Sequence, residues 1–222
     1  MKRGLLFRTA QAAAGLALFS FGVYLTIQAN IDLAPWDCLS MGLSYHLPIT
    51  YGTAAILISC VIVVIDLLLR ERIGIGTLLD AAICGLSVDF FSALKLVPAQ
   101  SGLLSGIPLM VAGMFVMSFG QYVYMRAGLC CGPRDSLLVG VGRRLKRMPI
   151  GLVNILILCA ALAAGWALGG KVGVGTLVSA LGIGVTMQIT FRLLRFEPRD
   201  VAHEGLFQSA ASLRKPVSGC GG

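Results

Sequence analysis

The strongest constraint on the fold is an internal duplication. Residues 73–89, IGIGTLLDAAICGLSVD, return further along the chain as residues 172–188, VGVGTLVSALGIGVTMQ. The two copies stay aligned at an offset of 98 residues, as from Gly15 to Gly113, and then of 99 residues, as from Gly85 to Gly184. Each copy holds three apolar segments, an odd number, so the second copy would enter a membrane from the opposite side. The duplication therefore predicts inverted-topology repeats related by a pseudo-two-fold axis in the membrane plane.

The composition places these repeats in a lipid bilayer. Hydrophobic residues make up 57% of the 222 residues and charged residues only 13%, whereas roughly 25% of residues are charged in soluble domains. Six windows approach the roughly 20 apolar residues that cross a bilayer, namely 9–27, 51–69, 75–94, 104–124, 150–168 and 172–191. We predict an all-α membrane protein of six transmembrane helices in two inverted three-helix repeats, with short interfacial or re-entrant segments after helices 1 and 4.

The same plan sets the predicted domain limits. The first repeat covers residues 1–103 and the second covers residues 104–191. Residues 192–222 are polar and rich in small residues, which predicts a disordered cytoplasmic tail.

Lysine and arginine set the predicted orientation, because short loops that carry them stay cytoplasmic. With the N-terminus inside, all 18 of these residues except Lys95 and Lys171 fall on the cytoplasmic side, and the C-terminus is cytoplasmic too. This face is expected to attract anionic lipid head groups. The net charge of +8 is thereby explained without nucleic acid as a partner.

A Pro-x-Asp stretch follows the first apolar segment of each copy, from Pro35 to Asp37 and from Pro133 to Asp135. The residue before a proline is disfavoured in helical geometry, so the chain should break there. A short helix can restart with the proline at its first position and the aspartate near the positive end of its dipole. Two interpretations stay open: a capped structural hinge, or a vestibule in which Asp37 or Asp135 meets a cation or polar solute.

Paired glycines open the third segment of each copy, at Gly74 and Gly76 and again at Gly173 and Gly175. Glycine permits tight turns and close approach of helices, and bare amides at a helix start can also receive an anion. The pattern is not a nucleotide-binding fingerprint, since no predicted strand precedes it and no Lys-Ser/Thr follows.

A polar stripe follows on the helix after these glycines. Its members share one helical face in each copy, and they are Thr77, Asp80, Cys84 and Ser87 in the first and Thr176, Ser179, Thr186 and Thr190 in the second. Polar groups that face lipid are costly, so both stripes should line the bundle interior. Asp80 lies roughly 10 Å from the cytoplasmic end of its helix. Its carboxyl group should be protonated, paired or solvated, which favours a role in proton or cation movement. The sequence does not distinguish this role from that of a protonated carboxyl group that donates a structural hydrogen bond.

Other polar residues predict no further chemistry. Asp66 is expected to pair with Arg70, one turn later, at the membrane boundary. The seven cysteines include no C-x-x-C pair, and His46 and His203 lie on opposite sides, so no metal or cofactor is predicted. No serine sits in a nucleophile elbow and no carboxylate pair shares a helical face, so an enzyme is not predicted.

The Pro-x-Asp stretches, the G-x-G-T openings and the duplicated three-span plan together resemble the YczE/YyaS/YitT-type bacterial integral membrane proteins. The openings are Gly74 to Thr77 and Gly173 to Thr176, and the resemblance covers about residues 9–192. It implies a multi-pass protein of the bacterial cytoplasmic (inner) membrane, from a family whose molecular activity is generally unassigned.

Three functional hypotheses follow. The first is a small secondary transporter or permease, with a proton- or cation-linked path for a small molecule or ion between helices 3 and 6. The second is a non-transporting accessory or regulatory membrane protein that binds a protein partner through its basic loop, residues 143–147, and its tail. The third is a substrate-binding subunit of a larger importer. A homo-oligomer is left open in each case.

Overall fold

The computed structural model describes residues 5–71, 74–129, 132–145, 147–148 and 150–196. Over these residues the chain forms α-helices and no strand, so the all-helical prediction is confirmed. The helices are α1 Leu5–Gln28, α2 Pro35–His46, α3 Tyr51–Leu68, α4 Ile75–Leu94, α5 Leu103–Met125, α6 Pro133–Arg144, α7 Ile150–Ala167 and α8 Val174–Leu193. The predicted disordered tail falls outside the described residues from residue 197 onward, as do Cys130, Cys131 and His203.

Within the described residues, five helices are long and apolar enough to cross a membrane. They are Leu6–Gln28, Tyr51–Leu68, Gly76–Leu94, Leu103–Met125 and Val174–Leu193. In α7 the apolar stretch with described side chains, Leu152–Ala167, is shorter. α2 and α6 have 12 residues each, and a bilayer needs ~20, so neither can cross one alone.

These two half-helices begin where the Pro-x-Asp stretches predict a break. The residues before the prolines, Ala34 and Gly132, are extended with ψ of 155° and 164°, as a following proline requires. Pro35 and Pro133 then occupy the first helical position, where the missing amide hydrogen costs nothing.

α1 and α5 form the most extensive helix pair in the bundle. A β-carbon on Gly15 would lie 2.9 Å from the carbonyl oxygen of Gly120, and one on Gly113 would lie 2.9 Å from that of Gly22. Glycine is therefore what allows the two backbones to approach so closely. Because an early residue of α1 meets a late residue of α5, the helices run antiparallel. The two copies therefore contact each other through equivalent surfaces, as in a two-fold interface.

Each half-helix packs against the opposite half of the chain. α2 lies along α7, where a β-carbon on Gly42 would meet the carbonyl oxygen of Gly165 at 2.8 Å. α6 lies along α3, and Arg143 Nη1 forms an ion pair with Glu71 Oε2 at 3.0 Å. The half-helices thereby tie the two copies together.

The paired glycines seat α4 and α8 against loops of the opposite half. The amide of Gly76 donates a hydrogen bond to the carbonyl oxygen of Leu129 at 2.9 Å. The amide of Gly175 donates to Asp32 Oδ2 at 3.3 Å, and a β-carbon on Gly175 would collide with the carbonyl oxygen of Ile31. Backbone contact of this kind leaves no room for a side chain.

The predicted surface pair between Asp66 and Arg70 is wrong. The Asp66 side chain is fully buried, and neither carboxylate oxygen has a hydrogen-bond partner in the part of the chain that the structure describes. α3 ends at Leu68, and Arg70 has a φ of 57°. The helical spacing that brings residues four apart together is lost there.

Candidate functional site

A cavity of about 410 Å³ lies inside the bundle, and all eight helices contribute to its wall. Its polar lining consists of Asp37, Tyr51, Ser59, Asp80, Cys84, Gln121, Arg134, Asp135 and Asn154. Its aromatic lining consists of Phe19, Trp36, Tyr51 and Tyr124. Three carboxyl groups and one guanidinium thus line one cavity.

The first turns of the two half-helices meet at this cavity. The Arg134 guanidinium carbon lies 5.1 Å from the centroid of the Trp36 ring, in cation–π geometry. These two residues occupy equivalent positions in the duplication, since 134 minus 36 is the 98-residue offset. The cavity is therefore built around the boundary between the two copies.

Asp37 is held at the start of α2 and is 5% exposed. Tyr51 Oη donates a hydrogen bond to Asp37 Oδ1 at 2.8 Å. Burial raises the pKa of the Asp37 carboxyl group, and the charge of Arg134 and the Tyr51 hydrogen bond oppose that rise.

Asp80 lies one helical turn after Gly76 in α4. Cys84 Sγ donates a hydrogen bond to Asp80 Oδ1 at 3.1 Å. A β-carbon on Gly132 would lie 2.6 Å from Asp80 Oδ2, so this glycine makes room for the carboxylate. The duplication places Ser179 at the Asp80 position of the second copy, which makes the charge one-sided.

Asp135 completes the group at the start of α6. Its pKa is raised to about 6, mainly by burial and also by the nearby charge of Asp80, while the charge of Arg134 opposes the rise. A carboxyl group with this pKa changes charge within the pH range that cells encounter.

The structure separates the predicted polar stripe into cavity residues and packing residues. Asp80 and Cys84 line the cavity, whereas the remaining predicted path residues do not, and these are Thr77, Ser87, Thr176, Ser179 and Thr186. Thr77 and Thr176 accept hydrogen bonds at 3.3 Å from the amides of the N-cap residues Gly74 and Gly173.

The other members of the stripe are engaged within the bundle or partly exposed. Ser179 Oγ donates to the carbonyl oxygen of Thr176 at 2.9 Å, and Thr186 Oγ1 accepts from Ser118 Oγ at 3.1 Å. Ser87 is partly buried in α4.

Sequence reasoning did not anticipate Trp36, Arg134 and Tyr51 as cavity residues. A usable signal was present, because equivalent residues near a two-fold axis come close to one another, and Trp36 and Arg134 are equivalent. Tyr51 carried no such signal. Among the described residues, no cluster of three or more His, Cys, Asp or Glu residues is arranged to hold a metal ion.

The fold and cavity define a helical membrane protein whose central cavity holds charged groups in a largely apolar wall. Residues 6–192 match a family of unknown function, DUF6198, and the chain belongs to this family. It is 33% identical to the uncharacterized membrane protein YczE of Bacillus subtilis (strain 168), over 86% of this chain and 88% of that protein. The predicted YczE-type membership is therefore confirmed.

Two further relatives are similar over most of their length. An uncharacterized protein of Haemophilus influenzae is 28% identical, over 81% of each chain. The uncharacterized protein YyaS of Bacillus subtilis is 26% identical, over 79% of this chain and 88% of that protein. No solved structure matches the chain.

Proposed function

We propose that the protein is a small secondary transporter of the bacterial cytoplasmic membrane, with a proton- or cation-linked site in the central cavity. The observation that carries this proposal is the convergence of Asp37, Asp80, Asp135 and Arg134 in one cavity between the two copies. Ionisable groups inside a membrane protein are costly, and they typically mark ion, proton or substrate pathways.

The proposed topology has six spans in two inverted repeats, with both termini cytoplasmic. It adds α7 to the five long apolar helices and is supported by the antiparallel contact of α1 with α5. Binding at the junction of two repeats, which rock against each other, is the arrangement of many secondary transporters.

The proposed path runs between helices 3 and 6 of this topology, which are α4 and α8. α4 supplies Asp80, whereas α8 supplies the small or apolar residues Ala180, Ile183, Gly184 and Met187. The coupling group would therefore belong to one copy. Asp135, with its pKa near 6, supports a protonation step that follows the local pH.

Two arginines of the basic loop that the accessory-protein hypothesis invokes have contacts within the described part of the chain. Arg143 is engaged by Glu71, and Arg144 donates a hydrogen bond to the carbonyl oxygen of Leu68. Both arginines therefore serve the packing of α6 on α3.

Reconstitution into liposomes that contain a fluorescent pH indicator would test the proposal. Imposed gradients of Na⁺, K⁺ or small organic amines should produce a protein-dependent change of internal pH. Asp80→Asn should reduce that rate by about tenfold or more, as expected for a lost charge at a coupling site. Ser87→Ala, on the same helix but outside the cavity, should transport normally.

Equal rates in wild type and Asp80→Asn would remove Asp80 from the mechanism. If no gradient moved protons, the accessory or importer-subunit roles would be favoured. Asp135→Asn provides a second variant if Asp80→Asn does not fold.

A further inference from the structure

The cavity wall contains two matched sets of residues, one from each copy. The set from α3 and α4 is Ala55, Ser59, Ala81, Cys84, Gly85 and Val88. The set from α7 and α8 is Asn154, Leu158, Ala180, Ile183, Gly184 and Met187. Each member of the second set lies 99 residues after a member of the first, as 154 minus 55 is 99. The same six positions thus form both side walls.

The two walls differ in exposure. Ala81 and Gly85 are buried, but their equivalents Ala180 and Gly184 are exposed. Asn154 is exposed as well, and no heavy atom lies within 4 Å of a β-carbon built on Gly184. Over the helical residues that the structure describes, α3 packs along α4, whereas α7 does not pack along α8. The cavity therefore reaches the outer surface of the bundle between α7 and α8.

The exposed faces of α7 and α8 beside this opening are mainly apolar. They carry the exposed side chains Ile155, Leu156, Leu177, Leu181 and Val185. In a membrane these faces contact lipid acyl chains. A solute that uses the opening therefore arrives from the bilayer, which selects molecules that partition into lipid.

The interior selects for positive charge. Three carboxyl groups face one guanidinium, so the lining is net acidic whenever the carboxyl groups are ionised. The Trp36 ring already receives the Arg134 cation, and the remaining aromatic rings offer the same kind of contact to another cation.

We propose that the cavity binds a lipophilic organic cation, which enters from the bilayer between α7 and α8 and places its charge among Asp37, Asp80 and Asp135. This inference rests on the proposed function, since it assigns a substrate class to the same cavity. Hydrocarbon parts of the ligand would remain in the opening between the two helices.

Two ions of matched size and opposite charge, tetraphenylphosphonium and tetraphenylborate, test the proposal on the full chain in lipid nanodiscs. Trp36 lines the cavity and Trp166 is exposed, so Trp166→Phe leaves Trp36 as the fluorescent reporter. Tetraphenylphosphonium should quench Trp36 saturably and bind about tenfold or more tightly than tetraphenylborate. Tetramethylammonium, which does not partition into lipid, should compete weakly.

Two kinds of variant test the acidic binding site and the entry route between α7 and α8 separately. Asp80→Asn, or Asp135→Asn if the first does not fold, should weaken tetraphenylphosphonium binding by about tenfold. Gly184→Leu places a side chain in the opening and should slow association without removing the acidic site. Leu193→Ile, at the exposed last residue of α8, keeps the surface apolar away from the opening and should leave association unchanged.

Equal binding of the two ions, or binding that neither carboxyl variant weakens, would overturn the charge selection. Unchanged association in Gly184→Leu would overturn the lateral route. The binding assay does not require transport, so the two proposals can fail separately. Saturable tetraphenylphosphonium binding without proton-linked transport would contradict the proposed transporter function and support the proposed ligand class. Proton-linked flux of Na⁺ or K⁺ without tetraphenylphosphonium binding would support the transporter function and contradict the ligand class.

Discussion

The seam between α3 and α4 is closed, and the equivalent seam between α7 and α8 is open. In the closed seam, Asp89 Oδ1 accepts a hydrogen bond from the amide of Gly52 at 2.8 Å, and Thr50 Oγ1 donates to Asp89 Oδ2. A carboxylate at this place also suits the positive end of the α3 dipole. Asp89 therefore fastens α4 to the first turn of α3.

The second copy lacks the two side chains that form these hydrogen bonds. Gln188 stands at the Asp89 position and Pro149 at the Thr50 position, each 99 residues further on. Glutamine brings no charge to a helix dipole, and proline has no hydroxyl group. These two differences remove from the second copy the carboxylate and the hydroxyl group that join α4 to the start of α3 in the first copy.

The largest expected effect is a difference in stability between alanine substitutions at two equivalent glycines, Gly85 and Gly184. Gly85→Ala should lower the free energy of unfolding by about 2 kcal/mol, since overpacking a tight contact typically costs 1–3 kcal/mol. Its β-carbon would lie 2.6 Å from Ile56 Cγ1 and would collide with the carbonyl oxygen of Gly52. Gly184→Ala meets nothing within 4 Å and should be neutral or slightly stabilising.

Thermal unfolding of the two purified variants in the same detergent measures this difference. Equal destabilisation by both substitutions would mean that α7 and α8 pack as closely as α3 and α4, and the comparison would fail.

A second difference lies between two equivalent contacts, the packing of α2 on α7 and the packing of α6 on α3. At the crossing of α2 and α7, Gly165 allows backbone contact, because a β-carbon there would lie 2.6 Å from the Leu39 amide nitrogen. The equivalent position in α3 is Asp66, a fully buried carboxyl group without a hydrogen-bond partner among the described residues. A buried unsatisfied polar group costs about 1–3 kcal/mol. Asp66→Ala should therefore raise the stability of the protein by about that amount.

The matched change at the other crossing should act in the opposite direction. Gly165→Ala should lower the melting temperature, because it forces α2 away from α7. If Asp66→Ala also lowered the melting temperature, the carboxyl group would have to be satisfied by a group beyond the described residues.

The sequence predicted the fold better than the site. Hydrophobic windows and Pro-x-Asp breaks depend on local chemistry, so they located the helices, and α4 begins and ends at the predicted residues 75 and 94. Helical periodicity also placed Asp80 and Cys84 on one face. The same periodicity could not tell a face that lines a cavity from one that packs against α5, which is the fate of Thr186.

The missed features depend on contacts between distant residues. The Trp36–Arg134 pair joins residues 98 positions apart, and Tyr51 reaches Asp37 from another helix. The burial of Asp66 is likewise a property of the tertiary packing. Periodicity carries no information about such contacts, although the register of a duplication supplies part of it.

The smallest expected effect concerns the hydrogen bonds between Asp89 and the start of α3. Asp89→Ala removes hydrogen bonds to the first turn of α3 and should cost about 1 kcal/mol. A change of that size corresponds to roughly fivefold more opening of the seam. The matched Gln188→Ala should change nothing, because the seam it adjoins is already open.

Cysteine labelling at equivalent wall positions reads this out. In a chain whose seven native cysteines are replaced, Ala180→Cys should react rapidly with a lipid-permeant maleimide and Ala81→Cys slowly. Asp89→Ala should raise the labelling rate at position 81 by about fivefold and leave position 180 unchanged. Both sites are alanines that line the cavity, at equivalent positions of its two walls. Equal rates at the two positions in the unaltered background would show that the two seams do not differ, and Asp89 would then be an ordinary helix cap.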